Sequence, residues 1–106
     1  MIAQRMFKSL FGTGGSQVDL GRKIKEGATI VDVRTPQEFQ DGHATGAINI
    51  LLDRLNSELG RLDRGRPVIS CCRSGARSGA ATDILRSEGF DVYNGGPWQN
   101  VQSKLP

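Results

Sequence analysis

The stretch Cys72-Arg73-Ser74-Gly75-Ala76-Arg77-Ser78 gathers a thiol, two guanidinium groups, two hydroxyls and a glycine within seven residues. The thiolate, not the thiol, is the nucleophilic form of cysteine, so its chemistry depends on what lowers its pKa. Gly75 permits backbone conformations that turn successive N–H groups toward one point, and such a nest binds anions. The arginines add positive charge, and a guanidinium fork suits an oxyanion better than an ammonium does. Ser74 and Ser78 supply hydroxyl donors. The chemistry predicted is nucleophilic attack by a Cys72 thiolate lying in an anion cradle.

The flanking sequence supplies the elements such a loop needs. Pro67-Val68-Ile69-Ser70-Cys71 reads as a buried strand, with Pro67 tolerable at its first position. A helix is predicted from about Arg77 to Glu88, with Ala81, Ile84 and Leu85 inward and Gly89 as its stop. Cys72 thus falls at the carboxyl end of a strand, where ligands bind in open α/β sheets. The loop feeds a helix N-terminus, whose free N–H groups and dipole favour negative charge. Cations there oppose the dipole unless an anion joins them, which favours an anion site over solvated decoration. Cys71 closes the apolar strand and is predicted to be core. Neighbouring cysteines make a poor structural disulfide, because the ring they close is small and strained.

Elsewhere, helix and strand signals alternate. Asp19 is a candidate N-cap for a short helix carrying Leu20 and Ile24 and ending at Gly27. Thr29-Ile30-Val31-Asp32-Val33 reads as a buried strand, and Thr35-Pro36-Gln37-Glu38 as a capping box with Phe39 as the helix's apolar anchor. Ala47-Ile48-Asn49-Ile50 follows as a brief strand. A longer helix is predicted from about Asp53 to Leu62, with Leu55, Leu59 and Leu62 on one face. Phe90-Asp91-Val92-Tyr93 is the last strand, and Gly95-Gly96-Pro97 turns the chain into a short helix with Trp98 and Val101. Strands separated by helices imply parallel pairing and a sheet covered on both faces.

Residues 1–16 are set apart as an N-terminal segment. Ile2, Met6, Phe7, Leu10 and Phe11 recur at a helical period, and Gly12-Thr13-Gly14-Gly15-Ser16 reads as a linker, so the domain is expected to run from residue 17 to 106. A short amphipathic helix or frayed tail is the simpler reading, and a partner or membrane-surface contact the sharper one. A chain of 106 residues suffices for one domain, and its 37% hydrophobic and 24% charged residues are those of an ordinary globular protein. No apolar run reaches the roughly 18 residues of a membrane span. The net charge is +3, but the basic residues are scattered among one Trp, one Tyr and four Phe, so nucleic acid is not an expected partner. Two adjacent cysteines and one histidine give neither a disulfide framework nor a zinc constellation, and cytoplasmic residence is expected.

Taken in chain order, these residues resemble the rhodanese (sulfurtransferase) family. Asp32-Val33-Arg34 with Pro36, Glu38 and Phe39, then Gly42-His43 and Gly46-Ala47-Ile48-Asn49-Ile50, look like the front half of its domain. The CRSGAR loop with Ser78, then Gly95-Gly96 and Trp98, resembles the back half. The resemblance implies an α/β rhodanese-like domain whose mostly parallel central sheet has about five strands and helices on both faces. It implies that Cys72 takes the outer sulfur of a small sulfur-containing anion such as thiosulfate and becomes a persulfide. A thiol, cyanide or a protein sulfur acceptor then removes that sulfur, without metal or organic cofactor. Arg73, Ser74, Gly75, Ala76, Arg77 and Ser78 are the substrate-binding residues so implied: their N–H groups hold the terminal sulfur, and the two arginines attract the donor.

The same resemblance makes Asp32 with Arg34, and Gly42 with His43, structural pairs; Trp98 is read most simply as core. Ala44 and Thr45 follow His43 where the family commonly has a larger apolar residue, a departure expected to loosen packing without touching the loop. Cys72 to Arg77 spans six residues, one fewer than in cysteine phosphatases and arsenate reductases, which need a wider ring of N–H groups for a tetrahedral anion. The alternatives are a dedicated protein-to-protein sulfur carrier and a non-enzymatic docking module. The oligomeric state is not written in the sequence.

Overall fold

Four runs of apolar and β-branched residues become strands in the computed structural model, which describes residues 18–106. In chain order the elements are α1 (Leu20–Lys25), β1 (Thr29–Asp32), α2 (Pro36–Gln40), β2 (Ile48–Asn49), a 3₁₀ segment (Leu52–Arg61), β3 (Val68–Cys72), α3 (Ala76–Ser87), β4 (Val92–Pro97) and α4 (Trp98–Gln102). The strands lie in the order β2-β1-β3-β4, and each pairing is parallel. The α/β class with helices on both faces is as expected. The sheet has four strands among the described residues rather than about five. Short helices and turns take up the chain between the four apolar runs, leaving no fifth extended stretch. The segment and linker expected over residues 1–16 lie outside the described residues.

Strand alternation divides the core in two. Val31, Val33, Val68 and Cys72 face one side, packing with Leu55, Leu62, Ala81, Leu85 and Phe90 under α3 and the 3₁₀ segment. Ile30, Ile69 and Cys71 face the other, with Leu20, Ala44 and Val101 from the layer of α1 and α4. Ala44, the departure from the family pattern, is fully buried in this second cluster. Cys71 and Cys72, consecutive in β3, therefore belong to opposite faces of the sheet.

Two elements differ from the sequence expectation. The Asp53–Leu62 helix is wound as 3₁₀ and broken at Glu58 (φ −121°, ψ 22°). Leu51 at its N-cap offers no side-chain hydrogen bond, and Ser57 Oγ bonds the Arg54 carbonyl at 2.9 Å, competing locally with α-helical winding. Leu55 and Leu62 are still buried, so the apolar face holds without the regular helix. The last strand begins later and runs through Gly95-Gly96-Pro97, which the sequence suggested as a turn. A Cβ at position 95 would lie 2.6 Å from Val101 Cγ2, 2.8 Å from Ile69 Cγ2 and 2.9 Å from the Ser70 carbonyl oxygen. The glycine is thus there for the close approach of β4 to β3, at the irregularity between Ser70 and Cys72 in their register.

Candidate active site

Cys72 is the last residue of β3 and is fully buried. Gly75, at the N-cap of α3, has φ 109°, a left-handed conformation that side chains resist. It carries no side chain to cap the helix, and the Cys72 sulfur fills that place. The Gly75 N–H donates to Sγ at 3.0 Å and the Ser78 N–H at 3.3 Å. Ser78 Oγ also lies 3.3 Å from the sulfur. Burial alone would raise the Cys72 pKa. The hydroxyl and N–H of Ser78, with the N–H groups of Gly75 and Ser74, outweigh it and hold the thiol below its ordinary value of 9.0.

The floor beneath this loop is a buried polar cluster. Thr82 Oγ1 donates to the Ser78 carbonyl at 2.7 Å, and Ser70 Oγ lies 2.8 Å from Thr82 Oγ1. These bonds join the first turn of α3 to β3, so the N–H groups aimed at the sulfur are fixed by the sheet. No buried side-chain polar atom among the described residues lacks a partner.

The two arginines of the loop part company. Arg77 is half-buried, and Glu38 of α2 takes both arms of its fork, at 2.7 and 2.9 Å. Glu38 Oε1 also accepts the Thr35 N–H at 3.1 Å, so one carboxylate closes the capping box of α2 and ties α2 to the loop. The Arg77 hydrogen bonds, with those of Thr35, lower the Glu38 pKa to about 2. Arg73 and Ser74 are exposed on the rim. Arg73 borders a cleft of about 280 Å³ shared with Arg34, Glu38, Asp41, Gly42, Trp98 and Gln99. Ala76 is the first helical residue of α3 and is exposed. A larger cavity of about 630 Å³ lies between α1 and the C-terminal residues, around Arg22, Lys25 and Lys104, and holds neither cysteine.

The Asp32–Arg34 pair is buried, with Nη2 and Oδ2 2.7 Å apart. Arg34 Nη2 also donates to the Gly42 carbonyl, and its guanidinium lies 5.4 Å over the Trp98 ring. Trp98 therefore packs on the second core cluster and also lines the cleft. His43 Nδ1 donates to the Phe39 carbonyl at 2.7 Å while its ring stacks on Phe39, which makes it part of the turn after α2. Cys71 lies behind the site. Burial, then the negative charge of Asp32, pushes its thiol up to about 12.

Two polar contacts of the site carry no signal in local sequence. Glu38 stands out as a capping residue and in the family resemblance, but neither marks its contact with Arg77, 39 positions away. Asn94, one residue before the glycine pair, accepts a hydrogen bond from Ser78 Oγ at 2.7 Å.

Among the described residues no helix is long and apolar enough to cross a membrane. The rhodanese-like domain family profile matches residues 16–98. A curated relative, the uncharacterized protein YqhL of Bacillus subtilis (strain 168), is 40% identical over 68 residues, covering 63% of this chain and 54% of its own length. The chain thus spans about half of that relative. The solved rhodanese-related protein of Thermoplasma volcanium is 31% identical with a TM-score of 0.70, over 83% of this chain and 89% of that one. A rhodanese from E. coli, solved with anions, is 33% identical with a TM-score of 0.59, over 69% of this chain and 89% of its own. A profile matched over most of the length, on a parallel sheet ending in a cysteine cradle, makes this chain a member of the rhodanese-like domain family.

Proposed function

We propose that the domain is a sulfurtransferase of the thiosulfate type, in which Cys72 carries the transferred sulfur. The observation that carries this reading is the Cys72 sulfur itself, buried at the floor of a loop with two N–H groups at 3.0 and 3.3 Å. Such a ring stabilises one anionic sulfur, and its donors are already oriented before any charge develops. The thiolate attacks the outer sulfur of thiosulfate, the S–S bond of the donor breaks, and sulfite leaves with the electron pair. Cys72 is then a persulfide. A thiolate, cyanide or a protein acceptor attacks its terminal sulfur, and the Cys72 thiolate is regenerated. Exposed Arg73 draws the anionic donor to the rim, and Arg77, bound to Glu38, adds positive field while holding the loop in shape. The anions with which the E. coli rhodanese was solved support an anionic donor here as well. A reducing, cytoplasmic setting suits two free cysteines.

The test is steady-state transfer from thiosulfate to cyanide or a small thiol. Reciprocal plots at several acceptor concentrations are expected to be parallel, because donor product leaves before acceptor reacts. Lines that converge would mean a direct donor–acceptor complex and would exclude the persulfide route.

A further inference from the structure

We propose that Asn94 is a positioning residue for the Cys72 sulfur, acting through the direction in which the Ser78 hydroxyl proton points. The inference rests on Cys72 as the reacting group. Ser78 is buried, and its Oγ has Asn94 Oδ1 at 2.7 Å, the Gly75 carbonyl at 3.1 Å and Cys72 Sγ at 3.3 Å. The single hydroxyl proton points to Asn94 Oδ1 or the Gly75 carbonyl while the thiol donates to Oγ, and it can turn to the sulfur only when the thiol is ionised. The orientation of the Asn94 amide is set independently, since the Gly96 N–H donates to Oδ1 at 2.9 Å. Its oxygen, rather than its NH₂ group, therefore faces Ser78.

With Cys72 as a thiol, the chain of donors is complete. The S–H donates to Ser78 Oγ, and the Ser78 O–H donates to Asn94 Oδ1, the shortest of its contacts. When the thiol loses its proton to solvent, Sγ becomes an acceptor only and competes with Asn94 for the single Ser78 proton. Asn94 thus favours the thiol, against the N–H groups of Gly75 and Ser78 that favour the thiolate. Removing the Oδ1 acceptor leaves the Gly75 carbonyl at 3.1 Å as the one neutral competitor, and the charged sulfur takes the Ser78 proton from this longer contact more readily.

The charged and titratable groups around the sulfur are Arg73 on the loop, Arg77 on α3 with Glu38 of α2, and Cys71 with Asp32 and Arg34 across the sheet. None of these hydrogen-bonds Asn94 or the Ser78 hydroxyl among the described residues, so a change at 94 leaves them in place. Asn94 is exposed, and Asn94→Ala removes no core packing.

The experiment is the pH dependence of Cys72 alkylation by iodoacetamide, with the modified residue located by mass spectrometry. It compares the parent, Asn94→Ala, Ser78→Ala and the double variant. Asn94→Ala is expected to lower the Cys72 pKa by about half a unit to one unit, the worth of one neutral hydrogen bond. In the Ser78→Ala background the same change is expected to do nothing. A purely structural Asn94, holding the Gly95-Gly96 backbone, would instead loosen the cradle and raise the pKa. A rise, no change, or a fall that persists without the Ser78 hydroxyl overturns the proposal. If Ser78→Ala does not fold, the sign in Asn94→Ala alone decides, a fall supporting and anything else overturning it. The readout is a thiol titration that needs no sulfur donor, so its failure is distinct from failure of the sulfurtransferase reading.

Discussion

Replacing Cys72 with serine abolishes sulfur transfer, with kcat/KM from thiosulfate falling about 10³-fold or more, as for loss of any covalent nucleophile. The cause is chemical rather than structural. A serine hydroxyl fills nearly the same space and accepts the same N–H groups from Gly75 and Ser78, but it does not ionise near neutrality and forms no persulfide. The variant therefore folds with its melting temperature close to the parent's. Cys71→Ala provides the contrast. Cys71 faces the opposite side of the sheet, and burial holds its thiol up at about 12, so its loss leaves transfer close to the parent rate. Steady-state assays on both variants, with circular dichroism to verify folding, check the pair of outcomes. Full activity in Cys72→Ser, or parallel losses in both variants, contradicts the assignment.

Arg34→Met lowers stability by about 3–5 kcal/mol, the usual cost of leaving a buried charge without its partner. Asp32 is completely buried, and Arg34 holds its carboxylate through Nε at 2.9 and 3.1 Å and Nη2 at 2.7 Å. The same guanidinium reaches the Gly42 carbonyl, tying the end of β1 to the turn after α2. Methionine retains much of the arginine stem's apolar bulk but leaves both oxygens of Asp32 without that partner. For a domain of this size the loss corresponds to a fall in Tm of roughly 12 °C or more. Asp32→Asn added to Arg34→Met removes the orphaned charge and is expected to recover part of the loss, so the two changes are not additive. Urea unfolding of the parent and the variants measures this. A loss below about 1 kcal/mol in Arg34→Met would mean that the pair behaves as a solvated surface bridge.

What was legible in the sequence is what local periodicity and local chemistry encode. The β-branched run before Cys72, the capping box at Thr35–Glu38 and the helix after Gly75 all rest on residues within a few positions of each other. The placement of Cys71 and Cys72 on opposite faces follows from the same source, because strand alternation separates neighbours by face. The Leu55–Leu59–Leu62 spacing identified a buried face, but not its winding, which depends on missing caps and a serine that bonds backward. Gly95-Gly96 read as a turn because glycine's local preference is ambiguous; only the nearness of Ile69 and Val101 shows why it lies in a strand. Within the site, the cradle was legible and its bracing was not. The pairing of Arg77 with Glu38, and of Ser78 with Asn94, joins residues 39 and 16 positions apart, and no local pattern records such contacts.

The central claim is that Cys72 itself takes up sulfur, and the most direct test is the intact mass of the reduced protein after incubation with thiosulfate, beside Cys72→Ser treated alike. The account predicts a gain of one sulfur atom on the parent, none on Cys72→Ser, and reversal of the gain by cyanide or a thiol. No gain on folded parent protein with a titratable thiol, or an equal gain on Cys72→Ser, would contradict it.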